Sequence, residues 1–176
     1  MTLNQLRELT ELIEPPHRPL KCSDLGNWDK LVEAIDFPFP NEFREYGRLY
    51  GTGEIAAGGY GLLIGNPLDP KFPKWVQEQS QAMRTRGDGP DRRPRRFYPE
   101  PNGIVPFASD WSGGLAFLTR DGKVASCPGD PNELISYQHG FVDFLVAMFS
   151  ADLSPEWFPN KVLRRHRPEF KKLAWL

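Results

Sequence analysis

The chain has 176 residues, enough for one domain that buries about 70% of its unfolded surface without help from disulfides or metal. Eighteen prolines and sixteen glycines exclude a coiled coil or a long-helix bundle, because proline breaks helix interiors, and twelve Phe, five Trp and five Tyr exclude a disordered chain. The net charge of −1 hides a division: residues 1–60 carry −4 and residues 97–160 carry −6, whereas residues 84–96 carry +4 and residues 161–176 carry +5. An acidic body of this kind favours a basic partner and repels nucleic acid.

The first 30 residues hold no secretory apolar core, since Arg7, Glu8, Glu11 and Glu14 interrupt it. The longest apolar run, Phe144 to Phe149, is far short of the ~20 residues a membrane span needs. Cys22 and Cys127 have no C-x-x-C around them and read as two reduced thiols, so a cytoplasmic location is expected.

Leu3, Leu6, Leu9 or Thr10, Leu12 and Ile13 predict a helix over residues 2–14, with Thr2 and Gln5 as a capping box and Pro15-Pro16 as its stop. Trp28, Leu31, Val32 and Ile35 form one buried face of a helix over 27–35. After the extended Phe37–Pro40 step, Asn41 is expected to cap a helix to Tyr50 with Phe43, Tyr46 and Leu49 or Tyr50 inward. Residues 54–57 and 60–64 flank Gly58-Gly59, a hairpin signal. Residues 74–86 suit a helix packed through Trp75, Val76 and Met83, and 87–102 read as a loop.

Residues 104–108 form a strand that Pro106 makes irregular or places at an edge. Residues 115–119 and 123–127 flank a second hairpin turn, and 134–137 form a further strand. Phe141, Phe144, Leu145, Met148 and Phe149 mark a last helix over 140–150. The expected fold is α+β, a mainly antiparallel twisted sheet of five to six short strands flanked by helices. It is read as one domain over 1–176: an N-terminal helix in 1–16, a core over 24–150, and a basic extension over 151–176.

The search for chemistry is sparse. His17, His139 and His166 are scattered and form no zinc pattern, and no Walker loop, G-x-S-x-G or H-E-x-x-H is present. Gly51-x-Gly53-x-x-Ala56 follows a helix and enters a hairpin, the wrong setting for a dinucleotide fingerprint. Asp110 and Asp121 are candidates for an acid–base pair, but each precedes a tight glycine turn, which favours a turn role. The Arg-rich stretch (Arg84, Arg86, Arg92, Arg93, Arg95, Arg96) and the basic tail are candidates for phosphate contacts. Interrupting acids favour solvated segments instead.

From Asn27 to Pro67 the residues carry a family pattern. Trp28-Asp29-Lys30-Leu31-Val32-Glu33, Phe39-Pro40, Phe43-Arg44-Glu45-Tyr46 and Tyr50-Gly51-Thr52-Gly53-Glu54-Ile55 resemble the SUKH superfamily, Smi/Knr-type branch. Phe39 stands where that family usually has leucine. Leu62 to Pro67, Pro99 to Phe107, Asp110 to Phe117 and Phe141 to Leu145 are similar to its later motifs, in order, over about residues 24–150. Trp111, Ser112 and the short stretch between Val124 and Tyr137 depart from the pattern.

The resemblance implies binding rather than catalysis, with no catalytic residue, cofactor or metal to carry over. It implies a cytoplasmic bacterial immunity protein that neutralises a cognate toxin, such as a nuclease with a basic surface, by direct contact. The alternatives are a regulatory scaffold of the same fold with another protein partner and, third, a hydrolase. No nucleic acid or membrane is expected as primary ligand. The candidate contacts are Asp110, Asp121, Asp130, Glu133 and Asp143, with Trp111 as aromatic anchor. Each is weighed against a solvated turn or helix surface, and Trp111 against partial core packing.

Overall fold

The computed structural model describes residues 3–23, 26–87, 96–158 and 163–173. Helix α1 (Leu3–Leu12) sends Leu9 into the core, with Ile13 just beyond its end. Thr2 of the expected capping box lies outside the described residues. Helix α2 (Asn27–Ile35) buries Trp28, Leu31 and Ile35. Val32, expected on the same face, is exposed, because the buried stripe follows i, i+3, i+7 and Val32 falls at its side.

Helix α3 (Asn41–Tyr50) buries Phe43, Tyr46 and Tyr50 completely. Asn41 does not cap it. The helix starts at Asn41 itself, and Pro40 sits in the N-cap position with no side-chain bond. The Tyr46 and Tyr50 rings stack at 4.8 Å. Burial, and for Tyr46 also the neighbouring Tyr50, pushes both phenols above their ordinary range.

Strands β1 (Gly53–Ala57) and β2 (Tyr60–Ile64) form the predicted hairpin, with Gly58 and Gly59 at φ 51° and 88°, the left-handed pair its two-residue turn requires. Helix α4 (Phe72–Gly87) follows, then β3 (Val105–Asp110), β4 (Leu115–Leu118), β5 (Lys123–Cys127), β6 (Ile135–Gly140), α5 (Phe141–Phe149) and β7 (Glu169–Lys172). The sheet is antiparallel and seven-stranded, in the order β6-β5-β4-β3-β2-β1-β7. The architecture is therefore α+β, with one strand beyond the five or six expected. The extra strand, β7, comes from the stretch read as a basic extension, and it pairs with β1. Pro106 lies in an interior strand rather than at an edge, and the register shift between Pro106 and Ala108 accommodates its missing donor.

Strand β4 is buried on both faces. Ala116 and Leu118 join the large core under α1, α3 and α5, whereas Leu115 and Phe117 pack with Met83 of α4, Phe97 and Cys127. The large core centres on Phe43, whose ring lies 4.9 Å from Phe141, 5.6 Å from Phe72 and 5.8 Å from Phe39. Such pairs add about 0.5–1.5 kcal/mol each beyond area burial. No described helix is long and apolar enough to cross a membrane.

Candidate binding site

Strand alternation assigns the faces. Leu62, Ile64, Ile55 and Phe170 point to the large core. Glu54, Ala56, Gly61, Leu63, Glu169 and Lys171 therefore share the opposite face, the one that α4 crosses. Met83 of α4 packs over β4 and β5. Toward β7 the face is open at Glu169 and Lys171, which are exposed, and partly covered at Glu54, Ala56, Gly61 and Leu63, which are buried or half-buried. A tryptophan stands at each end of this open area.

At one end, Leu63, Gly65, Phe72 and Trp75 line a groove of about 330 Å³, with Thr52, Asn66 and Asp69 in its wall. Trp75 stacks on Phe72 at 5.7 Å. The polar wall is a closed network. The Lys21 ammonium donates to Asp69 Oδ2 at 2.7 Å, and Thr52 Oγ1 donates to the same oxygen at 3.3 Å. Asn66 Nδ2 donates to Thr52 Oγ1 and to the Lys21 carbonyl. Asp69 Oδ1 and Asn66 Oδ1 accept from the amides of Lys71 and Leu68. The network joins the loop before α2, the start of β1 and the β2–α4 connection, and it engages both oxygens of the Asp69 carboxylate.

At the other end stands Trp111, 68% exposed. Its turn is built by Asp110, whose carboxylate accepts from the amides of Ser112 at 2.9 Å and Gly114 at 2.6 Å, and from the Ser112 hydroxyl. Gly113 supplies the φ of 94° this turn needs. The indole crosses Gly61, where a Cβ would meet Nε1 at 2.7 Å, and Nε1 donates to Glu54 Oε2 at 3.1 Å. The ring is thus exposed but held in one orientation. Partial core packing, the alternative weighed for this residue, does not occur.

The remaining candidates separate. Asp130 lies near the Trp111 end and caps a 3-10 turn (Pro131–Glu133) by accepting from the Asn132 amide, and Glu133 is exposed within it. Asp121 sits at the β4–β5 turn, at the opposite end of β4, about 13 Å away at 3.3 Å per residue. Asp143 lies in the first turn of α5 near that same opposite end. The five acids therefore form no single patch: Asp110, Asp130 and Glu133 lie toward one end of β4, and Asp121 and Asp143 toward the other. The hydrogen bond from Thr119 Oγ1, and behind it the Lys123 ammonium, hold the Asp121 carboxyl below the usual range. Asp110 and Asp121 lie too far apart to act as an acid–base pair.

Arg84 and Arg86 belong to α4, and Arg86 donates to the Gly129 carbonyl. Arg92, Arg93 and Arg95 lie outside the described residues. Cys22 and Cys127 are free thiols, and burial pushes the Cys127 thiol up. Among the described residues no three His, Cys, Asp or Glu side chains are placed to hold a metal.

Reading the sequence alone missed Trp75 as a groove wall and the Lys21–Thr52–Asn66–Asp69 network. The available signal was local: Asn66 and Asp69 each bond an amide two residues ahead, the Asx-turn habit. The sequence matches no family model, no curated protein and no solved structure.

Proposed function

We propose that the chain is a cytoplasmic bacterial immunity protein of the SUKH superfamily, and that it neutralises a cognate toxin by direct binding through the open sheet face. The observation that carries this reading is Trp111, exposed yet fixed by Glu54 and Gly61. A tryptophan held in place before contact loses little rotamer freedom on binding, and such residues dominate interface energies. Covering its exposed 68% removes roughly 100–170 Å² from water, worth about 2.5–4 kcal/mol. Trp75, half-buried at the far end of the same face, offers a second aromatic contact beside an apolar groove.

The test is co-purification with the product of the neighbouring toxin gene. Trp111→Ala is expected to weaken capture by about 2 kcal/mol, some thirtyfold. Asp121→Lys, at the far end of β4, is expected to leave capture unchanged. Equal capture by the parent chain and Trp111→Ala would remove the open face from the interface.

A further inference from the structure

Beside Trp111 the chain leading into β7 passes the tip of the β1–β2 hairpin and encloses a pocket of about 480 Å³. Its walls are Tyr60 and Trp111, the side-chain-free Gly58, Gly59 and Gly61, and the cations Arg165, Arg167 and Lys171 with His166. Two acids also line it, and both are engaged: Glu54 holds the Trp111 indole, and Glu169 pairs with Lys171 at 3.0 Å. One Arg167 amino group turns away to the Glu11 carbonyl. Arg165 and His166 are exposed, and neither forms an ion pair or hydrogen bond within the described residues. A short basic stretch is thus folded back onto an otherwise acidic chain, next to its exposed tryptophan.

We infer that this pocket binds an acidic peptide segment, with a partner carboxylate between Arg165 and His166 and an adjoining aliphatic portion against Trp111 and Tyr60. Three features favour a peptide over a run of phosphates. Glu54 and Glu169 sit inside the pocket and stand against a file of phosphates at fixed spacing, whereas a flexible peptide can seat one carboxylate on one or two donors and carry its other charges outside. Gly58 and Gly59, both exposed, present bare backbone, which lets an extended peptide approach closely. The whole chain carries net −1, too little positive charge to track a nucleic-acid backbone. The inference rests on the reading of the open face as a protein-binding face. It adds that the partner meets this face with an acidic segment, where the overall acidity of the chain points to a basic one.

The experiment titrates the full chain with acetylated hexaglutamate at low salt, following the Trp111 indole signal by NMR and assigning it with Trp111→Phe. Saturable movement of that signal is expected. A doubly reversed variant, Arg165→Glu with His166→Glu, is expected to weaken binding about tenfold or more. Both positions are exposed, so an unchanged far-UV spectrum and melting temperature are expected to verify folding. Hexalysine is expected not to bind. An unmoved indole signal, equal binding of hexalysine, or tighter binding of inorganic phosphate or single-stranded oligothymidylate would overturn the inference. If hexaglutamate binds here but no toxin is captured, the proposed function fails and this site stands. If a toxin is captured through Trp111 while the reversed variant binds toxin and hexaglutamate undiminished, this site fails and the proposed function stands.

Discussion

Tyr46 and Tyr50 are chemically identical, stacked and both fully buried, but only one hydroxyl is bonded. Tyr50 donates to the Ile13 carbonyl at 2.7 Å, whereas the Tyr46 hydroxyl has no partner among the described residues. Removing an unsatisfied buried hydroxyl recovers its desolvation cost, so Tyr46→Phe is expected to stabilise the fold by about 1 kcal/mol. Tyr50→Phe strands the Ile13 carbonyl and is expected to cost about 1 kcal/mol. Urea unfolding at neutral pH should therefore separate the two variants by about 2 kcal/mol, in opposite directions from the parent chain.

The same pair makes a second, independent statement about pH. Both folded-state pKa values are raised, so above pH ~10 the unfolded chain releases phenolic protons that the folded chain keeps. The contribution is fully present below the unfolded pKa and is lost as pH rises toward the folded values. Each tyrosine then removes about 1.4 kcal/mol per pH unit, and Tyr46→Phe should make the alkaline slope shallower by that amount. Destabilisation by Tyr46→Phe of more than about 1 kcal/mol, or an unchanged slope above pH ~10, would refute the reasoning.

Asp69→Ala breaks a nearly buried ion pair and strands the Thr52 hydroxyl and the Lys71 amide, so a loss of about 3 kcal/mol is expected in urea unfolding. Gly51 has φ 68° and lies against Leu20, whose carbonyl oxygen would sit 2.2 Å from an added Cβ. Gly51→Ala should therefore cost about 3 kcal/mol or more in the same assay, since backbone rather than a side-chain tip must move. At Gly61 the atoms nearest an added Cβ belong to side chains, the Glu54 carboxylate and the exposed Trp111 indole, rather than to backbone. Gly61→Ala is accordingly expected to cost less than about 1 kcal/mol while displacing the indole, read as a changed Trp111 NMR signal against an almost unchanged melting temperature. Phe170 packs on Tyr50 at 5.3 Å, and Phe170→Ala should release β7, seen as faster amide exchange along β1 with the β4–β5 ladder unchanged.

The α+β class was legible because its signals are local. Trp28, Leu31 and Ile35 repeat at helical spacing, and Gly58-Gly59 can adopt the turn that a hairpin demands. Strand β7 was not legible: Glu169–Lys172 holds one apolar residue among three charges, and what makes it a strand is the remote edge of β1. The acids of residues 97–160 are close in sequence, yet antiparallel strands throw successive turns to opposite ends of the sheet. That is why Asp110 and Asp121 part company. Trp111 could be suspected as an anchor, but its fixed orientation depends on Gly61 and on Glu54, which lies 57 residues away. The Lys21–Asp69 contact likewise joins residues with no shared local pattern.

The pairing of Glu54 with Lys171 joins positions two-thirds of the chain apart. During synthesis β1 and β2 can form their hairpin early, because only two residues separate them. The other edge of β1 stays open until residue 172 has left the ribosome, with its amides and carbonyls facing whatever strand is nearby. Completion of the sheet therefore comes later than the β1–β2 hairpin, and the interval before it is when this chain is most prone to pair with the wrong neighbour.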